Sequence, residues 1–234
     1  MQGLDDVWVK VVEDLAEDAL DSNQRTQIFL KLSDGGLGLS SACDTAPLGF
    51  LASWALVWPN VADAVGVVSW STFSAKCVSV AQDIATAEED MAQRGKNKLR
   101  AHDWVSGLFH SKGGQQGVWA RELKSQRRVE LIQALSEDDR VDFRSSGGPG
   151  AGGFLEAPVI KENESLPRMP NHHFKIALRD RLRLQVCPDG STCLHRNTEG
   201  VVCGQPLDRR GKHAKLCNFG QARNARHDSL WEFC

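Results

Sequence analysis

The sequence predicts a mainly α fold: a helical N-terminal region, a Gly-rich hinge and a small α+β C-terminal module. Three observations carry this expectation. Apolar residues recur at three- and four-residue steps through much of the first 144 residues. Residues 145–153, SSGGPGAGG, hold too many glycines for regular structure, because each loses more backbone freedom on ordering than any other residue. Five of the seven cysteines, Cys187, Cys193, Cys203, Cys217 and Cys234, crowd the last fifth of the chain, and five of the seven histidines lie at or beyond His172. The expected organisation is a helical region over 1–144, a Gly/Pro-rich linker over 145–170, and a basic helix with a Cys/His-rich module over 171–234.

The elements follow in order. Leu4, Val7, Trp8, Val11, Val12, Leu15 and Leu20 recur at helical spacing and predict an acidic amphipathic helix over about the first 22 residues. Ser22-Asn23 breaks and caps the chain before a short helix through Ile28, Phe29 and Leu30. The turn Asp34-Gly35-Gly36-Leu37-Gly38-Leu39 then reads as a helix-to-helix connection. Phe50, Leu51, Trp54, Ala55 and Val57 predict a mostly buried helix from Thr45 to about Trp58, stopped by Pro59. Further helices are expected at about 73–92 and 117–136, the latter with a basic polar face of Arg121, Lys124, Arg127 and Arg128. Trp residues 8, 54, 58, 70, 104 and 119 sit in helical apolar patterns and read as core. Beyond the hinge, Asn171 is expected to cap a helix from about His172 to Leu184, with Lys175, Arg179 and Arg183 as a cationic stripe beside its packed face.

Composition bounds what the chain does. With 234 residues, 41% of them hydrophobic and 25% charged, it is long enough for one sizeable core or two modest ones. The absence of Tyr excludes phenol-based acid chemistry. The start lacks a basic region followed by an apolar stretch, so no secretory signal is expected. The longest apolar stretch, Leu48 to Trp58, runs to about 11 residues against the roughly 20 needed to cross a bilayer. A soluble intracellular protein, nuclear or cytoplasmic and without a membrane partner, is expected, and in a reducing compartment its cysteines stay as thiols or metal ligands. The net charge of −2 conceals a division: from Arg168 onward there are about twelve Lys/Arg against about six Asp/Glu, whereas the first 60 residues carry about nine acids against three bases. A cationic end of that kind points to nucleic acid.

Within that end runs Cys193-x9-Cys203-x9-His213-x3-Cys217. A His and a Cys four apart share one helical face, and a turn around Asn197–Gly200 draws a Cys pair together, which supplies the tetrahedral nitrogen and sulfur set that Zn2+ prefers. Four protein ligands leave no position for an activated water, so such a zinc is structural. Cys187 is the alternative to Cys193 as first ligand, and His195 competes in a differently registered hairpin. Gly204 suits a knuckle in which backbone N–H groups approach a thiolate. Arg209, Arg210, Lys212 and Lys215 lie inside the same stretch and, with Lys175, Arg179, Arg183 and Arg226, form the candidate nucleic-acid surface. The glycine run 147–153 is not a phosphate loop, since no Gly-Lys-Ser/Thr follows it.

The stretches LKLSDGGLGLSSACDTAPLGFLASWA (30–55), GPGAGGFLEAP (148–158), MPNHHFKIALRDRLRL (169–184), and CGQPLDRRGKHAKLC with RHDSL (203–217 and 226–230) occur in an order that resembles the C-terminal part of non-LTR retrotransposon reverse transcriptases. The resemblance implies thumb-like helices over the first region, a zinc knuckle at the end, and RNA or DNA as partner. It also implies that the parent enzyme is an RNA-directed DNA polymerase with an endonuclease. The palm's paired metal-binding aspartates are expected upstream of residue 1 and the endonuclease carboxylates after Cys234. Asp5-Asp6 and Asp138-Asp139 sit in helical, acidic contexts instead, and Pro188-Asp189 precedes the knuckle with no later partner. Phosphoryl transfer needs carboxylates that hold divalent metals, so no catalytic residue is assigned to this chain. The expected function is nucleic-acid binding; the alternative is a zinc-stabilised protein-interaction module without nucleic-acid affinity.

Overall fold

Helices dominate the computed structural model, which describes residues 2–94, 115–156 and 170–219. The chain divides into two compact units, one of Met1–Asp14 with Ala19–Gly152, the other of Leu15–Asp18 with Gly153–Cys234. Helix α1 (Gln2–Ala16) buries Val9, Val12 and Ala16, and Leu20 beyond it is also buried. Leu4, Val7, Trp8, Val11 and Leu15 point outward, with Trp8 40% exposed, so Trp8 is not a core residue. Apolar residues cover a broad arc of the helix, with Asp6, Lys10, Glu13 and Asp14 on the remainder, and spacing alone does not say which part of that arc packs.

Asp5 of α1 receives the Ser41 hydroxyl and the Ala42 N–H, both at 2.6 Å, and so covers the start of the next long helix. Burial works to raise its pKa, but hydrogen bonds from Ser41, Ala42 and Cys43 outweigh it and hold the carboxyl below 3.8. A folded-state value below the unfolded one stabilises the fold above the unfolded pKa and is lost as pH falls through the folded one. Asp5→Asn is therefore expected to lower the thermal midpoint at pH 7 by about 3 °C, on the order of 1 kcal/mol, and to converge on the parent protein as pH falls through the lowered pKa of Asp5. A gap that persists in acid would mean that the charge of Asp5 is not what the cap uses.

Helix α2 (Ser22–Ile28) is capped by Asp21, one residue before the expected Ser22-Asn23. Asp21 accepts from the Gln24 N–H at 2.8 Å while the Gln24 side chain accepts from the Asp21 N–H at 2.8 Å, a reciprocal pair that Ser22 cannot make with Arg25. After α2 the glycine turn folds back onto its last residues. Gly36 N–H donates to the Lys31 carbonyl and Gly38 N–H to the Leu30 carbonyl, and the fully buried Gln27 amide reaches the Gly35 carbonyl at 2.7 Å. Gly35 takes the left-handed φ of 89°.

Helix α3 runs Ala42–Val65, through both Pro47 and Pro59, so the expected stop at Pro59 is overturned. A proline withholds one N–H and crowds the preceding turn. Here apolar packing on both sides of Pro59 outweighs that cost. Before it, Leu48 and Leu51 join Ile84, Ala87, Met91, Trp119 and Leu123 in one core. Around and after it, Trp58 packs with Val67 and Phe73, the Trp58 and Phe73 rings meeting edge to face at 5.0 Å between centroids. With the stop removed, α3 reaches 24 residues and is long and apolar enough to cross a bilayer by length and composition alone.

The expected 73–92 helix is two, α4 (Trp70–Lys76) and α5 (Val78–Arg94), parted at Cys77. Helix α6 (Gln115–Ala134) and helix α7 (Glu137–Ser145) are the remaining helices of the first unit among the described residues. α3 packs on α5 and α6, α2 on α6, and α4 on α5. Leu30, Leu131, Leu135 and Phe143 form a separate core beneath the glycine turn. The basic face of α6 is partly neutralised: Arg127 meets Asp44 at 2.6 Å, with side-chain exposures of 22% and 9%. Arg127→Ala is expected to cost about 3 kcal/mol in urea unfolding, because it leaves the Asp44 charge enclosed without its guanidinium. A loss under about 0.5 kcal/mol would show the pair to be as weak as a surface one.

Residues 146–152 form turns tied to the first unit, with Gly148 N–H on the Ser33 carbonyl at 2.8 Å, and the two units part between Gly152 and Gly153. Helix α8 (Gly153–Glu156) begins the longer segment of the second unit, in which helix α9 (Asn171–Arg181) follows. α9 is preceded by Pro170 with no side-chain cap, so Asn171 is its first residue rather than its cap. Trp104 lies outside the described residues.

Candidate metal centre

Two turns and one short helix build the centre. After α9 the chain reverses at Arg183, with φ of 60°, and Leu184 N–H closes on the Arg179 carbonyl. The N–H groups of Val186 and Cys187 then both donate to the Arg209 carbonyl, at 2.7 and 3.0 Å. A hairpin follows in which Cys193 N–H donates to Gln205 and Cys203 N–H to His195. This register pairs 193 with 205 and 195 with 203, so Cys193 and Cys203 lie diagonally across the hairpin rather than opposite one another. Its turn is held by Asn197, whose side-chain oxygen accepts from the N–H groups of Glu199 and Val201, and by Gly200 at φ of 82°. The expected α+β character is reduced to two isolated bridges, Thr192↔Pro206 and Arg196↔Val202, with no strand among the described residues. Pro206 has no N–H to extend the ladder.

The last two candidate donors come from helix α10 (Lys212–Leu216), which carries His213 and ends at Cys217. Its N-cap is Gly211, at φ of 64° and without a side-chain cap. The cap is supplied from a distance. Asp208 accepts the N–H of Arg210 at 2.9 Å and of His213 at 3.2 Å, and the Lys212 N–H adds a third. Burial works to raise the Asp208 pKa, but these N–H groups outweigh it and hold the carboxyl below its ordinary value.

Cys193, Cys203, His213 and Cys217 bring one donor atom each to within 4.8 Å of one another. Cys203 Sγ lies 3.5 Å from His213 Nε2 and 3.8 Å from Cys217 Sγ. Zn–S and Zn–N bonds of about 2.3 and 2.0 Å at tetrahedral angles imply S···S edges of about 3.8 Å and S···N edges of about 3.5 Å, so these residues fit zinc. The sulfur separation is far beyond a disulfide bond of about 2.05 Å. Cys193 and Cys217 are buried and Cys203 and His213 half-buried. Burial pushes the Cys193 thiol pKa up, with Cys217 and Cys203 adding to it and the His195 N–H opposing. A divalent cation is what lets several such sulfurs be thiolates together.

Cys193, not Cys187, is the member of the cluster; Cys187 Sγ instead packs beside Gly211, 3.1 Å from where a Cβ there would stand. His195 also stays outside, although its backbone N–H serves Cys193. Gly204 N–H goes to the Cys193 carbonyl at 3.0 Å and not to a thiolate.

The cationic residues divide. Arg183 is buried and lies past the end of α9, so the expected stripe does not form as one face. Arg179 donates to the carbonyls of Ala16 and Gln185 and to Asp18 at 2.9 Å. Lys175 pairs with Glu17, Lys215 with Asp180, and Arg209 with Asp189 at 3.2 Å. Arg210 and Lys212 are half-buried beside the centre, and Arg226 lies outside the described residues. Sequence reasoning missed Asp208, for which the signal was an Asp three residues before a glycine, and the carboxylates of Glu17, Asp18, Asp180 and Asp189, for which there was none. Comparison with protein-family models, with curated proteins and with solved structures finds nothing that matches this chain.

Proposed function

We propose that the chain is a nucleic-acid-binding part of a retroelement reverse transcriptase, in which Cys193, Cys203, His213 and Cys217 hold a structural Zn2+ and the surrounding bases meet RNA or DNA phosphates. One observation carries the reading: four nitrogen and sulfur donors within 4.8 Å of one another converge on a stretch that also carries Arg209, Arg210, Lys212 and Lys215. Zinc held by four protein donors cross-links the chain and activates no water. The bases would position a phosphate backbone without reading sequence. The test is anisotropy of labelled single- and double-stranded RNA and DNA with the zinc-loaded chain over a salt series. Affinity is expected to fall steeply with salt, at about 0.7 to 0.9 logarithmic units per phosphate contact and per tenfold change. Replacing Arg209, Arg210, Lys212 and Lys215 together by Ala should flatten that slope. No retention of any of these nucleic acids at low salt would refute the reading.

A second reading is favoured by the carboxylates that already face Lys175, Arg209 and Lys215, and by the outward apolar stripe of α1. A zinc-stabilised protein-interaction module would fold with the metal and show no affinity for nucleic acid.

A further inference from the structure

We infer that Asp208 is a positioning residue for the metal centre, fixing the backbone that presents His213 to the ion; this rests on the metal-centre reading above. Asp208 sits five residues after ligand Cys203 and five before ligand His213, on the loop that joins the hairpin to α10. Its carboxylate gathers the N–H groups of Arg210, Lys212 and His213 itself, and its own carbonyl accepts from Gly211 at 2.9 Å. Helix α10 has only five residues, too few to hold its own shape in water, and Gly211 at its N-cap offers no side chain. The direction of the His213 Cα–Cβ bond, and hence the reach of its ring to Cys203 Sγ, is set by a loop that this one carboxylate closes. An ordinary solvated loop aspartate would have no bond to the backbone of a ligand.

The test titrates the whole chain, as parent, Asp208→Ala and Asp208→Asn, with Zn2+ alone and in parallel with Co2+, whose visible spectrum distinguishes three sulfurs with nitrogen from three sulfurs with water oxygen. Asp208→Ala is expected to weaken Zn2+ binding about 10- to 100-fold and to shift the cobalt spectrum toward the water-ligated form. Asp208→Asn, whose amide oxygen still accepts N–H groups, should fall between, with metal release to a chelator several-fold faster than from the parent. If Asp208→Ala does not fold, the release rate of Asp208→Asn decides, and a rate equal to the parent's overturns the proposal. Parent-like affinity and spectrum in Asp208→Ala overturn the role of Asp208 alone. A parent chain that takes up no Zn2+ overturns the metal centre as well.

Discussion

If Cys193, Cys203, His213 and Cys217 hold the proposed Zn2+, stripping it with a chelator is expected to unfold residues 185–219 while helices α1 to α7 remain folded. The reason lies in what that segment buries. From 185 to 219 the buried side chains are those of Cys193 and Cys217, themselves members of the candidate centre, and the hairpin contains no strand. Backbone hydrogen bonds contribute on the order of 1 kcal/mol each net, too little to offset roughly 1 to 2 kcal/mol of backbone entropy per ordered residue. Structural zinc contributes about 10 kcal/mol or more in modules of this size. Amide exchange at Cys193, Asn197 and Cys203 should therefore accelerate by several orders of magnitude on chelation, with helical circular dichroism largely retained. His213→Ala and Cys217→Ser should each lower zinc affinity by at least about 100-fold. Exchange rates that ignore the chelator would show that the hairpin folds on its own.

Gly36→Ala is the second large effect. A Cβ at Gly36 would lie 2.1 Å from the Leu30 carbonyl oxygen, 2.4 Å from the Leu30 carbonyl carbon and 2.6 Å from the Gln27 oxygen, all of them backbone. None of these is a side-chain end that can swing away. Relief requires lifting the turn from α2, which breaks the bonds of Gly36 to Lys31, Gly38 to Leu30 and Leu39 to Ile28, and exposes the fully buried Gln27. A loss of about 3 kcal/mol or more and a thermal midpoint about 10 °C lower are expected. Gly117→Ala is the control: Gly117 lies in α6 with open space around it, and the substitution should stabilise by about 0.5 to 1 kcal/mol. A Gly36→Ala midpoint equal to the parent's would mean that the turn is not packed on α2 as described.

The metal cluster was legible because its spacing is local. A five-residue helix sets His213 against Cys217, and a tight turn at Asn197–Gly200 sets Cys193 near Cys203, so few conformations separate sequence from geometry. Helical character was legible on the same ground. The packed face of α1 was not, since Leu4, Val7, Trp8 and Val11 satisfy the same spacing as the buried Val9, Val12 and Ala16. Pro59 misled because its local cost is countered by Trp58, Val67 and Phe73, which meet through a later helix. The stripe of Lys175, Arg179 and Arg183 misled for a different reason. Its partners, Glu17, Asp18 and the Ala16 carbonyl, lie more than 150 residues away in the chain and carry no periodic mark.

The small number of buried side chains between 185 and 219 has an evolutionary consequence. Where a hydrophobic core tolerates or rejects substitutions by degrees of volume, this segment would respond in two classes. Changes at the four ligands and the few turn glycines would abolish it, whereas most of the exposed positions between them would be free to drift. A scan of all substitutions would then trace a sparse skeleton of indispensable residues, and the remaining surface could change what it recognises without endangering the fold that presents it.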